Sequence, residues 1–171
     1  RVDLKKNYAK DSSDMRVIYN EAWKNNWGFT PMNANEMKML AKDMKDIIVE
    51  DGILFAEYEG KTIGYIMTLL DYNQIIKDFN GRLFPFNFIK LFTKRKTITT
   101  GRFHTLGVLP EYRMLGIDAL LYWEILTRSY KHGILRGEAG WILEDNLMMN
   151  RAIKKFGGVK NKTYRVFSKQ L

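Results

Sequence analysis

Arg113 and Gly116 stand three residues apart, between the apolar run Leu106-Gly107-Val108-Leu109 and an amphipathic stretch that opens at Ile117. A basic residue, a glycine and a helix start thus fall within one turn. Free N–H groups at a helix start, with the aligned peptide dipoles behind them, favour an anion there. Glycine lets the backbone approach such a ligand because it has no Cβ. The spacing therefore suits a phosphate-bearing ligand, and the placement between strand and helix carries more weight than the Arg-x-x-Gly string itself. Other chemistry is excluded more simply. The chain has no cysteine, which removes disulfides, a thiolate nucleophile and Cys-ligated metals. His104 and His132 are its two histidines, so a histidine-rich site is excluded and no metal is expected.

To hold that turn, the chain needs a strand before it and a helix after it. Residues 97–109 predict the strand, with Arg102, His104, Leu106 and Val108 alternating onto one face unless a bulge intervenes. Ile117 to about Lys131 predicts the helix, with Ile117, Leu121 and Ile125 on one face and Gly133 just past its end. Upstream, residues 1–11 read as a loose lead-in, and Ser12, Ser13 or Asp14 as the cap of a helix to about Asn25. A loop containing Gly28 and Pro31 separates it from a second helix striped by Met37, Leu40, Ala41, Met44, Ile47 and Ile48. A hairpin follows: residues 53–58, a turn at Glu59-Gly60-Lys61, then residues 62–70 with Ile63, Tyr65, Met67 and Leu69 on one face. Downstream come a strand at 136–143, a helix at 147–156 capped by Glu144-Asp145-Asn146, and a strand at 163–169. Residues 71–96 are the least regular, with a short helix at 71–76. Their Phe-rich segment 83–92, next to Lys94-Arg95-Lys96, leaves three readings open: a helix packed on the core, a lid over an acceptor pocket, or a membrane-surface contact.

A length of 171 residues bounds this to one domain, and 46 % hydrophobic with 27 % charged residues is ordinary for a soluble globular protein. No apolar run approaches the roughly 18–20 residues that span a bilayer. Residues 1–6 lack the apolar stretch of a signal peptide. The first residue is Arg1, which fits a processed chain or part of a longer one, and the lack of cysteine fits the cytoplasm, the location expected. The net charge of +9 favours anionic partners, although no nucleic-acid motif accompanies it, so nucleic acid is not the expected partner.

The order helix, helix, hairpin, insertion, strand, turn, helix, strand, helix, strand resembles the GNAT superfamily of acyl-CoA N-acyltransferases over residues 17–169. The turn Leu106-Gly107-Val108-Leu109-Pro110-Glu111-Tyr112-Arg113-Met114-Leu115-Gly116-Ile117-Asp118 carries the resemblance most sharply. It implies a mixed α/β fold: a GNAT-like central mixed sheet flanked by helices, as one domain over residues 12–171. It implies that Leu106, Gly107 and Val108 pair through their backbone with the pantetheine arm of coenzyme A. Arg113, Met114, Leu115, Gly116, Ile117, Asp118 and Ala119 would then surround the pyrophosphate, mainly through N–H groups. A second match covers residues 146–158, where an Asn begins a helix and a glycine ends it. Asn146 and Asn150 then neighbour the coenzyme arm, or serve simply as caps. Two positions depart from the family pattern: Asp118, where Gly or Ala is usual, and Ile153, where relatives often place an acid Tyr that Tyr164 or Tyr112 would have to replace.

The resemblance further implies acetyl-CoA or another acyl-CoA as donor, and a small-molecule or peptide amine as acceptor. The amine attacks directly while a backbone N–H near Val108 polarises the carbonyl. His104, Glu138 and Glu144 are the candidate general bases; His104 also suits an ordinary structural role, and Glu144 a cationic-amine contact or a cap. Pocket-lining residues would come from the helix–helix loop, Trp27 and Phe29, and from the insertion, Tyr72, Phe84 and Phe86. The alternative is a non-catalytic module of the same fold, binding coenzyme A or acting as an interaction domain.

Overall fold

The computed structural model describes residues 7–44 and 47–169. They form two compact units, one reaching to Gly140 and the other beginning at Trp141. The first unit holds a four-stranded sheet in the order β1-β2-β3-β4, with β1 at Ile48–Tyr58, β2 at Lys61–Leu70, β3 at Thr100–Val108 and β4 at Arg136–Ala139. The first three strands pair antiparallel, and β4 runs parallel to β3. A parallel neighbour demands a crossover, which is the helix following β3. The sheet is therefore mixed and flanked by helices, the fold class that the sequence predicts.

The hairpin closes on two left-handed residues, Glu59 and Gly60, at φ 49° and 78°, the turn whose twist matches its strands. β2 lies between β1 and β3 and is buried from Thr62 to Leu69, as a strand covered on both faces must be. On one face Tyr65, Met67 and Leu69 cluster with Met15 and Ile18 of α1 (Tyr8–Trp23) and Met37 of α2 (Ala34–Met44). Burial pushes the Tyr65 hydroxyl well above its ordinary pKa. The insertion between β2 and β3 carries α3 (Asn73–Ile76) and α4 (Asn87–Thr93), anchored by a small cluster of Ile75, Phe79 and Ile98. The crossover helix α5 (Ile117–Lys131) packs against β1, β2 and β3. Its Tyr122 meets Phe103 edge-on at 5.8 Å, and Ile125 is fully buried. Truncating Ile125 to Ala is expected to cost about 2–5 kcal/mol.

The second unit contains α6 (Leu147–Lys155), and no regular secondary structure follows it over residues 159–169.

Several boundaries differ from the sequence reading. α1 begins at Tyr8, so Ser12, Ser13 and Asp14 lie inside it. Asp11, in its first turn, supplies the negative charge that a helix start favours. α2 ends at Met44, and Ile48 opens β1 instead of continuing a helical stripe, because pairing opposite Leu69 claims it for the sheet. β1 begins before the predicted residue 53, and Asp51-Gly52 is an irregularity inside it, with Asp51 at φ 54°. β4 stops at Ala139 instead of 143. Residues 163–169 form no strand: Val166 and Phe167 are exposed and no ladder pairs this segment among the described residues.

Candidate active site

The β2–β3 register slips between Met67 and Thr68: Met67 faces Thr105 and Thr68 faces Phe103. His104 is the extra residue of a bulge. The even alternation of Arg102, His104, Leu106 and Val108 is therefore broken. Phe103, Leu106 and Val108 share the face of Thr68, Ile66 and Gly64, while Arg102 and Thr105 fall on the opposite face, with Leu69 and Met67. The parallel pairing of β4 reaches only Phe103, opposite Ala139. Beyond it β3 runs five further residues, and among the described residues no strand pairs with that edge. Leu109 N–H donates to the Ile63 carbonyl at 2.9 Å, so by antiparallel alternation the N–H and C=O groups of Leu106 and Val108 turn away from β2, to that open edge.

Gly107 brings α1 against this segment. A Cβ there would lie 3.0 Å from Ile18, 3.2 Å from Ala22 and 3.2 Å from Trp23. The chain then turns through a 3-10 turn at Pro110–Tyr112 and two left-handed residues, Met114 and Gly116, at φ 66° and 77°. Gly116 is the N-cap of α5, and no side chain caps the helix. Among the described residues, no acceptor is found for the N–H groups of residues 115–119. A Cβ on Gly116 would meet nothing within 4 Å.

Arg113 is engaged on both sides of this turn. Its guanidinium donates to the Val108 carbonyl at 3.4 Å and to the Ala22 carbonyl at 3.0 Å, while its own amide donates to Pro110 at 3.3 Å. It braces the turn onto the last turn of α1, where a cation also meets the negative helix end. Asp118 is half-buried, and its charge is felt one turn on: burial first, then the Asp118 carboxylate, push the Tyr122 hydroxyl up to about 12. Tyr112 stacks toward Tyr58 at 6.1 Å, beneath the Lys61 ammonium.

The structure brings Glu138 beside Arg102, its partner across the β3–β4 ladder. His104, at the bulge just past the end of that ladder, keeps an exposed edge. Desolvation of the rest of the ring, then the Arg102 charge, hold its pKa below the ordinary 6.5. Of the aromatics, Phe29 packs on Tyr19 at 5.5 Å and Tyr72 on the cluster of Ile75, Phe79 and Ile98. Trp27, Phe84 and Phe86 are exposed.

In the second unit, Asn146 accepts the Met149 N–H at 3.1 Å and caps α6. Asn150 donates to the carbonyls of Leu143 at 3.0 Å and Asn146 at 2.9 Å. Both asparagines thus bind their own backbone. Glu144 precedes this cap, and Tyr164 lies 6.1 Å from Trp141, ring to ring. What sequence reasoning missed is the part played by the Ala22 and Ile63 carbonyls, which fix Arg113 and the strand alternation; nothing in their residue types signals either role.

No family model matches the chain. It is 34 % identical over 170 residues to Protein YghO of Escherichia coli (strain K12), and 32 % identical over 170 residues to a bacterial ceramide synthase of Caulobacter vibrioides (strain NA1000 / CB15N). Each comparison covers 96 % of this chain and 44 % of the relative, so the chain spans less than half the length of these relatives. Among solved structures, the aminoglycoside acetyltransferase AAC(6')-Iy, bound to a coenzyme A bisubstrate analogue, superposes with a TM-score of 0.62 at 12 % identity, covering 95 % of this chain and 93 % of that one. A ribosomal-protein-alanine N-acetyltransferase from Brucella melitensis gives 0.60 at 19 % identity, over 87 % and 79 %. An N-acetyltransferase from Staphylococcus aureus Mu50 gives 0.61 at 18 % identity, over 87 % and 78 %. The chain has the fold of the GNAT N-acetyltransferases.

Proposed function

We propose that the chain is an acyl-CoA-dependent N-acyltransferase, and that its acceptor is the amine of a long-chain, lipid-like base. The observation that carries the first part is a pair of open backbone stretches joined by one turn: the edge of β3 at Leu106 and Val108, beyond the ladder with β4, and the uncapped N–H groups of residues 115–119. Such an edge fits an amide-bearing arm, and such a start fits a diphosphate; coenzyme A has both, in that order. The similarity to a bacterial ceramide synthase supports the acceptor class, since a ceramide is the amide of a fatty acid with a long-chain amino alcohol.

The thioester supplies an acyl carbon open to attack by an amine. The chain's own groups then have distinct tasks. The N–H groups of residues 115–119 hold the diphosphate, and Arg113 fixes the turn that presents them. The Leu106 and Val108 N–H groups hold the arm and donate to the acyl oxygen as negative charge grows on it. His104, kept neutral by its depressed pKa, accepts the proton that the incoming ammonium must lose. As the C–N bond forms the thioester C–S bond breaks, and coenzyme A leaves as a thiol that takes up the amine's second proton. The rest of the rate comes from holding amine and thioester together.

Thermal unfolding with coenzyme A, acetyl-CoA and palmitoyl-CoA tests this. A ligand at one hundred times its Kd adds about 2.7 kcal/mol, roughly 5–10 °C for a chain of this size. Absence of a shift with all three overturns coenzyme binding. Amide formation from palmitoyl-CoA with a long-chain amino alcohol, against acetyl-CoA with short polyamines, then decides the acceptor class.

A further inference from the structure

We propose that the insertion between β2 and β3 docks the protein on the surface of an anionic phospholipid bilayer. The segment has two properties that an ordinary surface helix lacks. Phe84, Phe86 and Phe92 are 72 %, 73 % and 76 % exposed, and Leu83, Phe88 and Ile89 are exposed beside them. Large aromatic side chains gathered in one exposed place mark a contact surface, and here they occupy one short loop and one helix, α4. Around them, residues 77–96 carry six cations against one carboxylate, Asp78. Arg95 is held by the Ile48 carbonyl and Lys90 by Asn87 over the Phe79 ring, so Lys77, Arg82, Lys94 and Lys96 are the ones that meet a headgroup layer.

The occupant follows from that pairing. Apolar rings that enter the acyl boundary, with cations at headgroup level, are the chemistry of a surface-bound helix on anionic lipid. A protein partner would need carboxylates in the same geometry and a pocket for each ring. A second copy would set cation against cation. The attachment lies along the surface: among the described residues, no helix is long and apolar enough to cross a membrane. The patch stays in place because Ile75, Phe79 and Ile98 bury its inner side, with Leu91 packed against them, while Arg95 donates to the Ile48 carbonyl at 3.1 Å. The inference stands apart from the acyltransfer reading, since vesicle binding is scored without turnover.

The test is co-sedimentation of the intact protein with vesicles of phosphatidylcholine alone, or with about 30 % phosphatidylglycerol added. Binding is expected to the anionic vesicles, to weaken in high salt, and to be near background on the neutral ones. Lys94→Gln with Lys96→Gln lowers it roughly 25-fold, at about fivefold per cation. Phe84→Ser with Phe86→Ser and Phe92→Ser lowers it by at least about tenfold while leaving the melting temperature unchanged, because these rings face solvent. In Phe86→Trp, which keeps the aromatic bulk, the added fluorescence is quenched by brominated acyl chains. The proposal is overturned by absence of binding to both vesicle types, by equal binding to both, by triple-Phe binding equal to the native protein, or by lipid-free dimers that the Phe substitutions dissociate.

Discussion

Helices α2 and α6 begin on side chains, whereas α5 begins on bare backbone. At α2, Asn33 accepts the N–H groups of Asn35 and Glu36 at 2.9 and 3.0 Å, and Glu36 reaches back to the Asn33 N–H at 2.8 Å, a reciprocal cap. At α6, Asn146 does the same service for Met149. Each such cap is worth about 0.5–2 kcal/mol. The chain forgoes that stability at α5, where Gly116 can offer no side chain. It does so where the neighbouring strand also runs on beyond its ladder with β4 and inserts a bulge. Caps such as those of α2 and α6 serve the fold. α1 and α4 also begin without one, but the start of α5 is the one that continues from the edge of β3 beyond its ladder with β4, which is why it is proposed as the place where a ligand completes the hydrogen bonds.

If the open region works as proposed, the largest effect belongs to the side chain at its bulge. His104→Gln is expected to lower the rate by about 10²–10⁴, with coenzyme binding unchanged. In the native enzyme kcat/KM falls with decreasing pH through a midpoint below 6.5, because only the neutral ring accepts a proton; in His104→Gln that limb is absent. Stability moves with the same sign. The folded pKa lies below the unfolded one, so the stability that neutral His104 confers is complete above 6.5 and is lost as the pH falls through the folded value. A pH profile identical in both proteins would remove His104 from the chemistry and leave Glu138 or Glu144 as the base.

Gly116→Val comes next. A β-branched residue at φ 77° is strained by about 1–3 kcal/mol, and it adds a side chain among the amides of residues 115–119. The melting temperature should fall several degrees, and the coenzyme-induced rise should vanish. A variant that is strained but still shifts with coenzyme A would place the ligand elsewhere. Asn146→Ala supplies the contrast: a loss of about 1 kcal/mol from an uncapped helix, with the coenzyme shift retained. A lost shift there would mean that Asn146 does more than cap.

The open region was the more legible one, for a physical reason. Its boundaries are set by glycines, whose meaning is local: Gly116 and Gly133 bracket α5 as the sequence predicts. Asn146 and Gly157 bracket α6 almost as well. What the sequence hides depends on partners. The bulge at His104 is a slip in pairing with β2, and nothing in Arg102-Phe103-His104-Thr105 announces it. Ile48 fits a helical stripe until its place beside Leu69 makes it a strand residue. The bracing of Arg113 by the Ala22 carbonyl joins residues 91 apart. The exposure of Phe84, Phe86 and Phe92 needs the fold as well, since the same sequence could have buried them.

Asp118 gives the smallest effect and the sharpest test, because two terms there oppose each other. Its carboxylate sits in the first turn of α5, where a negative charge stabilises the helix by about 0.3–1 kcal/mol. The same charge repels a diphosphate held by the neighbouring amides. Asp118→Asn should therefore lower the melting temperature of the free protein by roughly 1–4 °C and tighten coenzyme A binding by up to about fivefold. The Tyr122 hydroxyl should titrate lower, since part of its elevation comes from Asp118. Opposite signs for stability and affinity place both ligand and dipole at this helix start. If affinity falls along with stability, the carboxylate is a contact of the bound molecule, and the amides of residues 115–119 do not hold its diphosphate.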